Sequence, residues 1–513
     1  MGGGDHRCEW RDRAEALEAE VVVLENTVAG LREENAALRS QVTEMGGAIA
    51  QMQGTLAQLQ RHVFGKRSEK MPPVADELRR AGAESDPAAA LAKRQETAEK
   101  KKALPTREIV HRVAEEKKVC PKCGGHEFSP LGPGKATAVY EYVPGRFERQ
   151  LHVQEKLRCR CGETILTAEG APKVYEKAEY GPGFHAHVIV SKVADAIPHH
   201  RLEKQCRRSG VPIRRSTLVD LFHRAAEELE PLAKRLTELV AENEIVQADE
   251  TTLRVQAKGK TRTAWLWTFL ARNAEEKSLV SYHYSPSRSG ETPAKVLGAT
   301  QGKLVVDGYT GYNRVTLPGG RERAGCLAHV RRKFFDALQT TPAAQRALDL
   351  ILEIYTVERA ALDQDLLGSP DHLAMRAERS QPVMNELRSW LETEQPRHLP
   401  QGPMGQAIGY ALNQWDALTR FLEDPRLPVD NNASERALRA AALGRKNWLF
   451  VGHDHAGENI AGLFSLVATC EANGVNPLDY LSDVLIRVQT HPAARIDELL
   501  PHHWKPPSPP PSS

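Results

Sequence analysis

The sequence predicts an α/β protein: a sheet core whose strands carry carboxylates, a helical insertion late in that core, and three smaller modules ahead of it. Three observations predict it. A heptad repeat runs through residues 14–63, close cysteine pairs stand at 120/123 and 159/161, and extended apolar runs between 244 and 307 carry Asp249 and Asp307. At 513 residues the chain exceeds one ordinary domain, and its length suggests about three or four. An apolar fraction of 41% suffices for buried cores, while a formal net charge of +2 announces no global affinity for nucleic acid, so local patches decide what the surface attracts.

No targeting or membrane-spanning segment is expected. The apolar stretch Ala461 to Cys470 is too short to span a bilayer. No secretory apolar region opens the chain, and Met-Gly-Gly-Gly-Asp-His lacks the Ser or Thr of a myristoylation signal. Eight cysteines in so long a chain point to metal or free thiols rather than disulfides. A cytoplasmic protein is expected.

Residues 1–63 form the first module. Leu17, Leu24, Leu31, Leu38, Met45, Met52 and Leu59 sit seven apart, with Val21, Val28, Asn35, Val42, Ile49 and Leu56 filling the other core position. β-Branched residues opposite Leu favour a parallel two-stranded coil, and the single Asn35 fixes register at some cost in stability. A homodimerisation zipper is expected, because a lone surface helix would leave this seam uncovered. Residues 64–105 lose the apolar period and read as a basic linker, solvated or phosphate-binding.

Within 106–177, Cys120-Pro-Lys-Cys123 and Cys159-Arg-Cys161 offer four thiolates in two pairs, each followed by Gly for a tight turn. That set suits structural zinc in a DNA-binding ribbon; the shorter second spacing makes the pattern less specific. Residues 178–239 read as helix, Gly-containing turn and helix around Ser209-Gly210-Val211-Pro212. Arg207, Arg208, Arg214 and Arg215 crowd that turn, so the second helix can enter a major groove, although helical hairpins commonly only pack.

The core opens at 240–335. Glu244 to Asp249 turns to strand, Thr251 to Gln256 continues extended, Ala264 to Leu270 is a third strand, a helix follows near Thr292, and Lys303 to Asp307 is a buried strand. Three strands, a helix and a fourth strand is the opening order of an RNase H-like fold, which puts Asp249 and Asp307 on neighbouring strands. A carboxylate ending an apolar run is costly unless paired or metal-bound. Residues 336–427 have helical period throughout and read as an insertion. The segment 428–450 then supplies a late helix that either Asn431 or Asn432 can cap, bearing Glu435, whose spacing from Asn432 and Arg439 equally suits a capping box and a plain ion pair. Three oxygen-ligand acids suit two Mg²⁺ (or Mn²⁺) ions about 3.5–4 Å apart, the arrangement for in-line phosphoryl transfer. Glu250 competes with Asp249 for that role, and Glu458 with Glu435. Cys326 and His329 cannot close a zinc site alone and are expected to support the acids, with Arg331, Arg332, Lys333, Arg436, Arg439, Arg445 and Lys446 facing phosphates. Residues 451–500 are helical, and 501–513 form a Pro-rich tail expected to be disordered.

Taken together, these stretches resemble the large transposase of the insertion sequence 66 family, a bacterial DDE transposase. The resemblance rests on His62-Val-Phe-Gly-Lys-Arg-Ser-Glu69, the Cys-Pro-x-Cys-Gly ribbon, Gln247-Ala-Asp-Glu-Thr251 and Asp307-Gly-Tyr-Thr-Gly-Tyr312. It continues through Cys326-Leu-Ala-His329-Val-Arg-Arg-Lys-Phe334, Asp430-Asn-Asn-x-x-Glu-Arg436, Gly452-x-Asp454-x-x-Gly457-Glu458 and Asn473-Gly-Val-Asn-Pro477. It implies the triad Asp249, Asp307 and Glu435, binding of the element's terminal inverted repeats and target DNA, a synaptic assembly of at least a dimer, and small element-encoded accessory proteins. It also implies location at the bacterial nucleoid when active. Two departures are expected to matter only locally: Gly311 replaces a more usual acid, and His453 a small polar residue. A catalytically dead dimeric regulator, or a nuclease without strand transfer, would share most of these features.

Overall fold

The computed structural model describes residues 9–64, short stretches between 91 and 168, and 170–506 apart from 299 and 317. The chain divides into two units, one of residues 1–71, 169–205 and 213–513, the other of 72–168 with 206–212. Helix α1, Glu9–Phe64, carries the heptad repeat as one element, and its seam is bare in the single chain: Leu17 is 57% exposed, Leu24 57%, Leu31 55% and Leu38 52%. Asn35 lies on the same exposed helix.

In the second unit, β1 (Lys156–Arg158) pairs antiparallel with β2 (Ile165–Thr167). Cys159 and Cys161 fall between these strands in sequence; with Cys120 and Cys123 they lie outside the described residues, as does most of the predicted linker.

Helix α2 (Pro182–Val193) leads to α3 (His199–Arg208), a turn with Gly210 at φ 84°, and α4 (Arg215–Glu242). The second helix of this pair is longer than its sequence suggested. Leu218, Phe222, Ala225, Leu229, Leu232, Leu236 and Val240 continue a three-and-four spacing across Pro231, and all are buried. Most of α4 is therefore a core helix, and its first turn carries the exposed Arg215 just after exposed Arg214.

The five-stranded sheet runs in the order β5-β4-β3-β6-β7, with only β4 reversed. Strand β3 is Ile245–Ala257, β4 Lys260–Arg272, β5 Ser278–Ser285, β6 Lys303–Val305 and β7 Glu322–Ala324, with α5 (Glu291–Leu297) between β5 and β6. The strands divide differently from the sequence expectation. The segments at 244–249 and 251–256 are one continuous strand, because the hairpin turns at Gly259, whose φ of 71° suits a tight reversal. The third strand is instead β5, whose Ser, His and Tyr residues disguised a buried element. The outcome still puts Asp249 inside β3 and Asp307 two residues past β6, on strands that pair in parallel through Gln247 and Val305.

Helix α6 (Leu327–Leu338) follows β7. Every named element from there to the last helix of the sheet core is helical: α7 (Ala344–Asp363), α8 (Pro370–Met375), α9 (Gln381–Glu394), α10 (Pro403–Asn413) and α11 (Trp415–Thr419), before α12 (Asn432–Trp448). Helix α12 packs along β3, and α13 (Asp454–Ala472) covers β5, with α14 (Pro477–Arg487) beyond. The cover on β5 is chemical as well as apolar. Tyr282 N–H donates to Ser465 Oγ at 2.8 Å, Val280 N–H to Thr469 Oγ1 at 3.1 Å and Ser278 N–H to Asn473 Oδ1 at 3.1 Å. One side chain per helical turn thus satisfies the sheet edge and blocks a further strand. Among the described residues no helix is long and apolar enough to cross a membrane.

Candidate carboxylate site

Three elements bring three acids into one electrostatic neighbourhood. Asp249 sits mid-strand on β3, opposite Thr268 of β4, and its Oδ1 accepts the Glu250 N–H at 2.9 Å. Burial, then the charges of Glu250, Glu435 and Asp307, push its carboxyl up to about 7. Asp307 ends the β6 run, where its Oδ1 accepts the Tyr309 N–H at 2.9 Å. Glu435 occupies the first turn of α12, its Oε1 3.9 Å from His329 Nε2 and its Oε2 4.0 Å from Arg332. Burial lowers His329, while Asp307 and Glu435 both pull it back up, so this ring of α6 lies in the field of both acids.

The competing acids are engaged elsewhere. Glu250, with a side chain 2% exposed, accepts from Arg288 Nη2 at 2.6 Å and from Tyr312 Oη at 2.7 Å. Glu458 is 64% exposed on α13, 3.4 Å from His455. Three hard oxygen donors, one of them raised by burial and then by its acidic neighbours, are the donor chemistry a divalent cation fits. As they stand, no three Asp, Glu, His or Cys side chains among the described residues close around a single point tightly enough to hold an ion.

The start of α12 is fixed by side chains rather than by a cap. Neither asparagine caps it as the sequence suggested: Asn431 takes the N-cap position with no side-chain cap bond, and its amide donates instead to Ala248 O at 2.7 Å. Asp430 accepts from the Asn432 N–H at 3.0 Å and from Tyr355 Oη at 2.8 Å. Cys326 is a buried thiol, raised to about 12 by desolvation and then by Asp430, and its Sγ accepts the Asn431 N–H at 3.2 Å. Farther along, Arg445 Nη1 donates to Thr251 Oγ1 at 2.9 Å and to Thr252 O at 2.6 Å, which pins α12 to β3.

The predicted basic residues separate by burial. Arg207, Arg208, Arg214, Arg215, Arg436, Arg439 and Lys446 are exposed. Arg331 is 1% exposed and is a core residue of α6, so it does not face solvent as the sequence reading had it. Arg332 leans toward Glu435, and Lys333 Nζ lies 4.8 Å from the Tyr410 ring. Tyr410 itself escaped the sequence reading, since nothing in α10 marks it. Its hydroxyl accepts the Gly308 N–H at 3.1 Å, so the helical insertion touches the residue after Asp307.

Both departures from the family's pattern have local explanations. A Cβ on Gly311 would lie 2.2 Å from the Tyr309 ring, leaving no room for an acid in this turn. His453 does the work of the small polar residue, because its Nδ1 accepts the Ala456 N–H at 3.1 Å as the N-cap of α13.

A family model described as "Transposase IS66 family" matches residues 177–459, and one described as "IS66 C-terminal element" matches 465–502. A third, "zinc-finger binding domain of transposase IS66", matches 117–162, a span that takes in all four predicted zinc ligands. Uncharacterized proteins of Sinorhizobium fredii are similar over most of their length. Protein y4hP is 31% identical over 415 residues, 77% of this chain and 74% of its own. Protein y4qI is 33% identical over 401 residues, 75% of this chain and 74% of its own.

Proposed function

The chain belongs to the IS66 transposase family, and from that premise we propose a DNA transposase with an RNase H-like core that cuts and joins strands through Asp249, Asp307 and Glu435. The observation that carries this reading is the shared field of three acids from β3, the exit of β6 and α12, with the Asp249 carboxyl raised by burial and then by the charges of Glu250, Glu435 and Asp307. The sheet order with β4 alone reversed supports the fold assignment. Two Mg²⁺ (or Mn²⁺) ions held by the three carboxylates would supply the Lewis acid for in-line displacement. Water cleaves the phosphodiester at the element's end and frees a 3′-hydroxyl; that hydroxyl then attacks a target phosphodiester, one P–O bond forming as another breaks.

The remaining residues bind and orient. Arg332, Lys333, Arg436, Arg439 and Lys446 hold phosphates, whereas Arg445 serves by keeping α12 on β3. His329, with Cys326 behind it, holds Glu435 beside Asp307. Cys120, Cys123, Cys159 and Cys161 close a structural zinc site in the matched zinc-finger domain, which with the helix pair around Gly210 reads the terminal inverted repeats. The bare seam of α1 pairs with a second copy in a zipper, and small element-encoded proteins assist.

Glu435→Gln is expected to lower cleavage of an element-end duplex about a hundredfold or more while leaving its binding unchanged. Full cleavage by that variant would sink the assignment.

A further inference from the structure

Helix α12 does more than deliver Glu435. Glu435, Arg439, Leu443 and Lys446 follow one another at intervals of four, four and three, so they share a face. Leu443 on that face is 59% exposed. The helix ends in a tight turn: Phe450 N–H donates to Trp448 O at 2.7 Å across Leu449, whose φ of 63° and ψ of −45° are strained for a side chain with a Cβ. Both ends of the turn are anchored. Trp448 is 7% exposed, packed on Gly444, where a Cβ would come within 2.7 Å of the indole. Val451, 6% exposed, bridges to Val255 and donates to Arg254 O at 2.9 Å. Between these anchors the chain thrusts Leu449 out at 62% exposure and Phe450 at 39%. Leucine and phenylalanine thus stand in water on a strained turn, at the end of a face that carries Arg439 and Lys446.

Resting on the transposase reading, we infer that Leu449 and Phe450 form a wedge that enters a base step of the DNA. Exposed Arg439 and Lys446 on the same face supply the charge complementarity to a duplex, and apolar side chains inserted between base pairs unstack and kink it. The wedge stands beside Val255, six residues along β3 from Asp249, which is about 20 Å at the rise of a strand. At ~3.4 Å per base pair it unstacks DNA about six pairs from the cut phosphate. The strained turn holds the two side chains out before DNA arrives, so little ordering is left to complete on binding.

The test uses the full-length protein and a duplex ending in the element's terminal sequence, with 2-aminopurine placed stepwise around that position. Wild type should raise the fluorescence severalfold at one step. L449S/F450S should bind the duplex within a fewfold, lose the rise and cut at least tenfold more slowly. Leu449→Gly should melt at a higher temperature, since glycine accepts this backbone freely, and still lose much of the rise; that separates folding from function. An unchanged fluorescence rise in the double variant overturns the wedge while leaving the transposase reading intact. A change in sedimentation caused by either variant also overturns it, assigning the patch to a second copy. Failure of wild type to bind the duplex at all defeats the transposase reading itself, and the wedge with it.

Discussion

The Asn431 side-chain amide donates to the carbonyl of Ala248 at 2.7 Å, and each residue is only 1% exposed. Ala248 precedes Asp249 on β3, and Asn431 lies four residues before Glu435. One buried hydrogen bond therefore sets where the third acid stands relative to the first. Asn431→Ala leaves the Ala248 carbonyl in a buried gap and should cost about 1–3 kcal/mol in denaturant unfolding. Its cleavage rate should fall about ten- to a hundredfold, because small misplacements of reacting groups are expensive. Asn431→Asp, which cannot donate, should fare no better.

Arg321 should prove highly sensitive to substitution for folding. It is 1% exposed and donates to Ala241 O at 2.6 Å, Asn243 O at 2.9 Å, Glu244 O at 3.2 Å, Lys303 O at 3.3 Å and Thr300 Oγ1 at 3.0 Å. It thereby ties the end of α4 to the start of β3, β6 and β7. Arg321→Met removes donors from several buried carbonyls and should destabilise by about 3–5 kcal/mol. Arg321→Lys should recover little, since an ammonium cannot span the same fork. Urea unfolding of both variants checks this.

The acids were legible because they break a pattern. Asp249 and Asp307 are charges in apolar extended runs, and the extended character after Glu244 was plain, although one strand, Ile245–Ala257, was divided into two. Strand β5 was not, because its Ser281 and His283 bond to Thr237 of α4 and so hide as polar letters inside a buried element. Ser465, Thr469 and Asn473 look like ordinary tolerated polar residues of a helix until the edge of β5 is placed beside them. Asn431 was read as a cap, since local spacing carries no information about a strand far away in sequence. Arg331 was read as a phosphate contact because charge is visible in sequence and burial is not. The insertion was legible as helical, but that Tyr410 reaches Gly308 depends on tertiary packing alone.

Acid should weaken the fold through His283. Burial, then Lys295, lowers this imidazole to about 4, while Ser281 Oγ and Thr237 Oγ1 hold its Nε2 at 3.0 and 3.3 Å. Between that value and the ordinary 6.5, the unfolded chain binds a proton that the folded one refuses. The contribution is therefore complete above about pH 6.5 and is lost as pH falls toward 4, on the order of 3 kcal/mol at most. His283→Gln should flatten the fall in stability over this window, as followed by denaturant midpoints at successive pH values.

Zinc should matter for binding and little for the core. A strong chelator should release about one zinc per chain and abolish recognition of the element's end. The near-ultraviolet circular dichroism from buried Trp267 and Phe269 of the sheet should be unchanged. Cys120→Ser should reproduce both results without the chelator.

The most direct measurement is strand transfer in Mg²⁺ by the purified protein with any accessory proteins, on a labelled duplex ending in the element's terminus. Wild type is run beside Asp249→Asn. Joined product from wild type, and at least about a thousandfold less from the variant, is the predicted result. Equal product from both would contradict the assignment of Asp249, and tight end binding with no product from wild type would contradict the enzyme itself.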